Sequence, residues 1–240
     1  MIIKTNQILK LVLHQNIACY RNPITAEIIE TYPLPPPSTI LGFLYSLIGR
    51  DDPTPDEINL SIQGKYNSLI RDYQWYKKYS RKYGRNKQPH PILVHTLYDV
   101  KLVIHIYCSN NELTKYIKDT LHHPPYFSYL GRAEDLVKIE SIGITQQKII
   151  SKEYDHLKLD AYIPTKLATK IYLEGILYKL PSYLKLIEIS TKTETKNIRD
   201  FHWVDLMYIE ANTRYEGEEL SMIMDDQGDY IWWCMQNPIP

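Results

Sequence analysis

The sequence predicts an α+β fold, with a ferredoxin-like half over residues 1–145 and a smaller β-rich domain over 146–240. Three observations carry that expectation. The first half reads as β-α-β, then an inserted excursion, then β-α-β. From about Ser151 onward the chain holds β-branched and aromatic runs and no long helical period. With 240 residues, there is enough chain to bury a real core in one large domain or two small ones.

The elements follow in order. "QILKLVLH" at 7–14 puts Leu9, Leu11 and Leu13 on one face, the pattern of a half-buried strand. Pro35, Pro36 and Pro37 then stiffen the chain ahead of a helix, with Ser38 placed to cap it. Ile40, Leu41, Phe43, Leu44, Leu47 and Ile48 form one broad apolar stripe, and Gly49 suits a left-handed stop. The other side of this helix carries Thr39, Gly42 and Ser46, all small. That is most simply an ordinary exposed face; the sharper alternative is close approach by another backbone or a ribose-phosphate chain.

A strand is expected around Asn59 to Gln63, and a second over Tyr98 to Tyr107. "NNELTKYIKDTLHH" opens on an Asn cap and sets Leu113, Tyr116, Ile117 and Leu121 on one helical face. "YLGRAEDLVKIES" turns at Gly131 into another strand. In the second half, "KIYLEGILYKL", "SYLKLIEIST", "WVDLMYIEA", "ELSMIMD" and "YIWWCMQ" read as strands, with "DDQGD" as a hairpin loop.

Charge is segregated, although the formal net charge is zero. Arg71 to Lys87 holds seven basic residues against one acid, and Glu210 to Tyr230 holds seven acids against one arginine. The basic segment interleaves Lys77, Lys78, Arg81, Lys82, Arg85 and Lys87 with Tyr73, Trp75, Tyr76, Tyr79 and Tyr83. Cations neutralise phosphates and aromatic faces stack on unpaired bases, so this is the candidate nucleic-acid contact. The plain alternative is a solvated loop in a chain that has 21 tyrosines throughout.

Other chemistry finds little support. Cys19, Cys108 and Cys234 are scattered and form no CxxC pair, which fits a reducing cytoplasm. His122 and His123 are adjacent, so on a helix they diverge, and His14 and His105 fall in strands. No histidine or carboxylate group has metal-ligand spacing, and no P-loop, GxGxxG or GxSxG pattern occurs. Neither a metal nor a cofactor is expected. The longest apolar run, about ten residues, is too short to cross a bilayer, so no membrane partner is expected.

The order of "YRNP", "TYPLPPPSTILGFLYSLIGR", a basic excursion, "HTLYDVKLVIHIY" and "PPYFSYLGRAEDLV" resembles a known family. It is similar to the CRISPR-associated RAMP-superfamily subunit that holds the 5′ handle of the guide RNA (crRNA) in type I Cascade complexes, most like the type I-B branch. The likeness covers the first 140 residues well. It implies a ferredoxin-like, RRM-like domain with an inserted β-hairpin thumb at about Tyr66 to Pro91, the segment that charge and aromatics already mark. It further implies that Gly131 and Arg132 face the RNA, and Arg21 with them.

The RNA-binding set expected on this basis is Arg21, Trp75, Lys77, Lys78, Tyr79, Arg81, Lys82, Tyr83, Arg85, Lys87, Gly131 and Arg132. The implied partners are the crRNA 5′ handle and the backbone and large subunits, with target DNA met only indirectly. One branch of the family is a metal-independent ribonuclease that cuts repeat RNA with a tyrosine, a lysine and a histidine. This chain contains no Lys-His pair, and Tyr45, Lys87 and His122 are the only trio that could be assembled. The expectation is therefore a non-catalytic binder, with the endoribonuclease as its alternative.

Overall fold

A computed structural model describes residues 7–25, 28–50, 58–76, 89–151, 154–190, 195–216 and 221–235. The chain runs β1 (Ile8–Ala18), β2 (Ile28–Ile29), α1 (Pro37–Ile48), β3 (Ile58–Lys65), β4 (Ser68–Tyr76), β5 (His90–Cys108) and α2 (Asn111–His122). It continues with β6 (Lys138–Thr145), β7 (Lys148–Ser151), β8 (Tyr154–His156), β9 (Asp160–Pro164) and the six-residue α3 (Thr165–Lys170). The last elements are β10 (Ile176–Ser190), β11 (Thr195–Ile209), β12 (Arg214–Glu216) and β13 (Ser221–Met224).

One large, mostly antiparallel sheet dominates this mixed fold, in the order β10-β11-β9-β3-β5-β1-β6. The boundary at 145/146 interrupts neither sheet nor core. β9 pairs directly with β3 through Gln63 and Ala161. The main core joins Leu9, Leu11, Leu60, Ile62, Leu102 and Ile104 to Tyr162, Leu180, Leu206 and Tyr208.

α1 begins as the proline run dictates, but Ser38 is not its cap. Pro36 is the N-cap residue, and its carbonyl accepts from the backbone N–H groups of Thr39 (2.9 Å) and Ile40 (3.3 Å). Ser38 falls inside the first turn because Pro37 already has the φ of a helical residue. Gly49 ends the helix at φ 67°, in the left-handed region. α2 starts as expected, with the Asn110 side chain accepting from the Glu112 N–H at 2.8 Å.

Two expected strands in the second half take another form. "KIYLEG" finishes α3 and a turn, so the strand starts only at Ile176. It then absorbs "SYLKLIEIS" into β10, with an irregularity between Pro181 and Tyr183. "DDQGD" does turn, with the Asp225 N–H donating to the Asp229 carbonyl at 2.9 Å. Beyond Tyr230 the chain leaves strand geometry and crosses the sheet instead.

That crossing closes the face of β3 opposite Leu60 and Ile62. Ser61 Oγ accepts from the Trp232 N–H at 2.9 Å, and Asn59 Oδ1 accepts from the Met235 N–H at 3.1 Å. Gln63 Nε2 donates to the Tyr230 carbonyl. Three polar side chains that alternate with apolar ones are thus buried on the main chain of a distant segment, which satisfies both sets of polar groups.

A charged cluster pins the same segment on β1 and β5. Lys10 Nζ donates to Asp225 at 2.6 Å and to Gln227 at 2.8 Å, and also reaches Asp229. His105 Nε2 lies 3.1 Å from the Asp225 carboxylate, and Lys10, His105 and Asp225 are all buried. Burial opposes ionisation of Asp225, but the His105 and Lys10 hydrogen bonds outweigh it and hold this carboxyl below the usual carboxylate range.

Candidate nucleic-acid interface

β3 and β4 lie end to end along one side of the 19-residue β5. The inner half of β5, from Lys101 to Cys108, pairs with β3 in the sheet. Its outer half, from His90 to Tyr98, pairs with β4 as an antiparallel hairpin. Asp99, at φ 53°, marks the joint, and His14 Nε2 holds its carboxylate at 2.8 Å.

Every residue of β4 is exposed. Strand alternation sets Arg71, Tyr73 and Trp75 on one face of the hairpin, opposite His95, Leu93 and Pro91 in register. Tyr73 is 71% exposed and Trp75 78%. Aromatic side chains this open add little to the fold, so their value lies in what they meet. The other face is anchored at its base, where Ile92 and Val94 pack with Cys19 and Ile29.

Of the residues expected from the sequence, Trp75 stands on this hairpin, whereas Lys77, Lys78, Tyr79, Arg81, Lys82, Tyr83, Arg85 and Lys87 lie outside the described residues. Arg21 is exposed in the loop after β1, bridged through its backbone to Thr31. Gly131 and Arg132 form a tight turn beside the end of β1. There the buried Asp135 carboxylate accepts from the Cys19 and Arg132 backbone N–H groups, both at 2.9 Å.

The Arg132 guanidinium turns inward onto the same carboxylate, donating through Nη2 at 2.8 Å and Nε at 3.1 Å. As placed, Arg132 braces its own loop. Gln15 strengthens the brace by donating to the Leu130 and Asp135 carbonyls. Burial pushes the Cys19 thiol up to about 11, so it stays protonated near neutral pH and is no nucleophile.

Gly131 has a conformational reason to be glycine. Its φ is 107°, and a Cβ there would stand 2.8 Å from the Cys19 carbonyl oxygen. Gly131→Ala is expected to cost on the order of 1–3 kcal/mol, read as a lowered melting temperature. An unchanged melting temperature would contradict this account of the turn.

Tyr45 and His122, two of the three conceivable catalytic groups, do not meet. Tyr45 lines a cleft between α1 and the β10–β11 pair, while His122 lines another between the end of α2 and β6. Lys87 lies outside the described residues. No group of metal-ligating side chains is found among the described residues, and no described helix is long and apolar enough to cross a membrane.

The family model described as CRISPR-associated protein (Cas5) matches residues 8–205. The chain belongs to the CRISPR-associated Cas5 family. A chain titled "CRISPR RNA-guided surveillance complex" superposes on this Cas5 chain with a TM-score of 0.54 at 12% identity, over 85% of this chain and 91% of that one. At that identity the likeness is one of fold. A chain of a type III-B Cmr-beta complex bound to cognate target RNA gives a TM-score of 0.47 at 12% identity, over 88% and 86%. A CRISPR protein from Archaeoglobus fulgidus gives 0.44 at 12% identity, over 95% and 100%. No curated protein matches the chain.

The sequence reading missed both of the features that close the sheet. Lys10 amid an apolar strand was a signal for a buried partner, and Asp225 and Asp229 flanking a turn glycine were candidates for it. It also missed Arg50, Tyr183 and Phe201, which share a cleft with Arg21.

Proposed function

We propose that this Cas5 chain is a non-catalytic RNA-binding subunit of a type I CRISPR effector complex, holding the 5′ handle of the crRNA. The observation that carries the reading is the β4–β5 hairpin, whose exposed Arg71, Tyr73 and Trp75 lead directly into the basic segment. In this reading the fold is a ferredoxin-like RAMP domain of the type I-B branch, and the hairpin is its thumb. The backbone and large subunits of Cascade are the protein partners, in the cytoplasm.

The physical support is of two kinds. Tyr73 and Trp75 sit two residues apart on a strand, about 7 Å, which leaves room for one base between their rings. The sheet face that an RRM uses for stacking is covered here by residues 230–235, which directs RNA to the hairpin. The separation of Tyr45 from His122 favours binding over cleavage, the endoribonuclease being the alternative.

Trp75→Ala tests the reading. Its side chain is open to solvent, so the melting temperature should hold, while affinity for the cognate repeat RNA should fall by about 1–3 kcal/mol. Undiminished RNA affinity in a gel-shift titration would count against a stacking thumb.

A further inference from the structure

A cleft of about 530 Å³ runs between the outer side of α1 and the β10–β11 pair. Its volume falls in the range of roughly 300–1,000 Å³ typical of ligand sites. The loop after β1 brings Arg21 to it, and the end of α1 brings Arg50. No carboxylate is among the described residues that line it. Two guanidinium groups on one cleft make it attractive to an anion, and the fork of each suits a phosphate.

The walls specify the anion further. On one side stand Thr39, Gly42 and Ser46; on the other stand Tyr183 and Phe201. Tyr183 is held in place by stacking on His202, with ring centroids 4.8 Å apart and planes within 7°. His202 is itself fixed by a 3.0 Å hydrogen bond with Ser182 Oγ. Fixed aromatic faces beside cations are what a base and its phosphate use together. Gly42 leaves the helix wall bare, since a Cβ there would meet nothing within 4 Å.

We infer that this cleft is a second single-stranded RNA site, separate from the hairpin, in which Arg21 and Arg50 take phosphates and Tyr183 or Phe201 takes a base. The inference rests on the RNA-binding reading but not on the hairpin's part in it. It also explains the small face of α1: side chains there would stand where the ribose-phosphate chain passes.

Gly42→Trp is the direct test, because it fills the cleft from a position that touches nothing. Arg21→Glu/Arg50→Glu is the second variant, and Gly42→Ala the control. Each full-length chain is titrated with a short labelled single-stranded RNA carrying the repeat sequence, and its melting temperature is recorded. The plug and the double charge reversal should each weaken binding by about tenfold or more, with the control unchanged and all melting temperatures held. Wild-type affinity in both variants would overturn the site. So would retained RNA binding with lost attachment of partner subunits, which would assign the cleft to a protein segment.

Hairpin variants titrated alongside separate the two ideas. Loss on plugging the cleft with none on altering the hairpin would sink the thumb and keep the cleft. The converse would sink the cleft alone.

Discussion

Lys10→Met should lower the melting temperature by on the order of 10 °C, the largest stability effect expected of any single change outside the apolar core. The variant keeps the bulk of the side chain and removes its charge. It leaves Asp225 buried with His105 and the turn's N–H groups, but without the ammonium 2.6 Å away, and strands Asp229 beside it. Breaking a buried pair from one side costs about 3–5 kcal/mol, whereas replacing both members with apolar groups is often near neutral. Lys10→Met/Asp225→Leu should therefore recover part of the loss. A double variant worse than the sum of the two singles would contradict a paired role.

The pH dependence has a definite sign. The Asp225 carboxyl is held below its ordinary 3.8, so its contribution is present above that value and is lost as pH falls through the lowered native one. Burial works against the Lys10 charge too, yet its hydrogen bonds to Asp225 and Asp229 leave it raised above 10.5. Its contribution is present below 10.5 and is lost as pH rises through the native value. The gap between wild type and Lys10→Met should thus stay constant across neutral pH and close at both extremes. Thermal melts over a pH series read this directly.

The second large effect is on RNA. Reversing the charge of Lys77, Lys78, Arg81 and Lys82, which follow directly on Tyr76, should weaken RNA binding roughly a hundredfold or more at moderate salt. Each phosphate left without its cation should also lower the slope of log affinity against log salt by about 0.7, the single-strand value. The slope is the sharper readout, because misfolding abolishes binding without changing a slope in proportion to the cations removed. An unchanged slope, or unchanged RNA retention in the assembled complex, would count heavily against a cationic clamp.

The sequence announced these regions unequally, for physical reasons. The proline-led α1, the Asn-capped α2 and the Gly131 turn were legible because each is dictated within a few residues by φ, by an orphan N–H or by a positive φ. Ser38 misled because a proline N-terminus needs no side-chain cap. The hairpin arm was legible as exposed chemistry, since cations and rings alternate there without an apolar stripe to bury.

What alternation could not reveal is where a polar strand face ends up. Asn59, Ser61 and Gln63 read as a wet face, and only the main chain at 230–235, some 170 positions later, makes that face dry. The continuous strand β10 was hidden because Pro181 looks like a break, whereas the ladder absorbs it at an irregularity. The cleft on α1 was equally hidden. Its small residues lie at 39–46 and its aromatics at 183 and 201, and no local pattern joins positions so far apart.

The central claim is that this chain grips the guide RNA without cutting it. It is tested most directly by incubating the purified protein with its cognate repeat RNA, labelled at one end, in excess EDTA. The account predicts intact RNA that shifts on a native gel, with the partner subunits added where the shift requires them. Specific cleavage at one position would contradict it and turn attention to Tyr45, His122 and the hairpin lysines as a metal-independent active site.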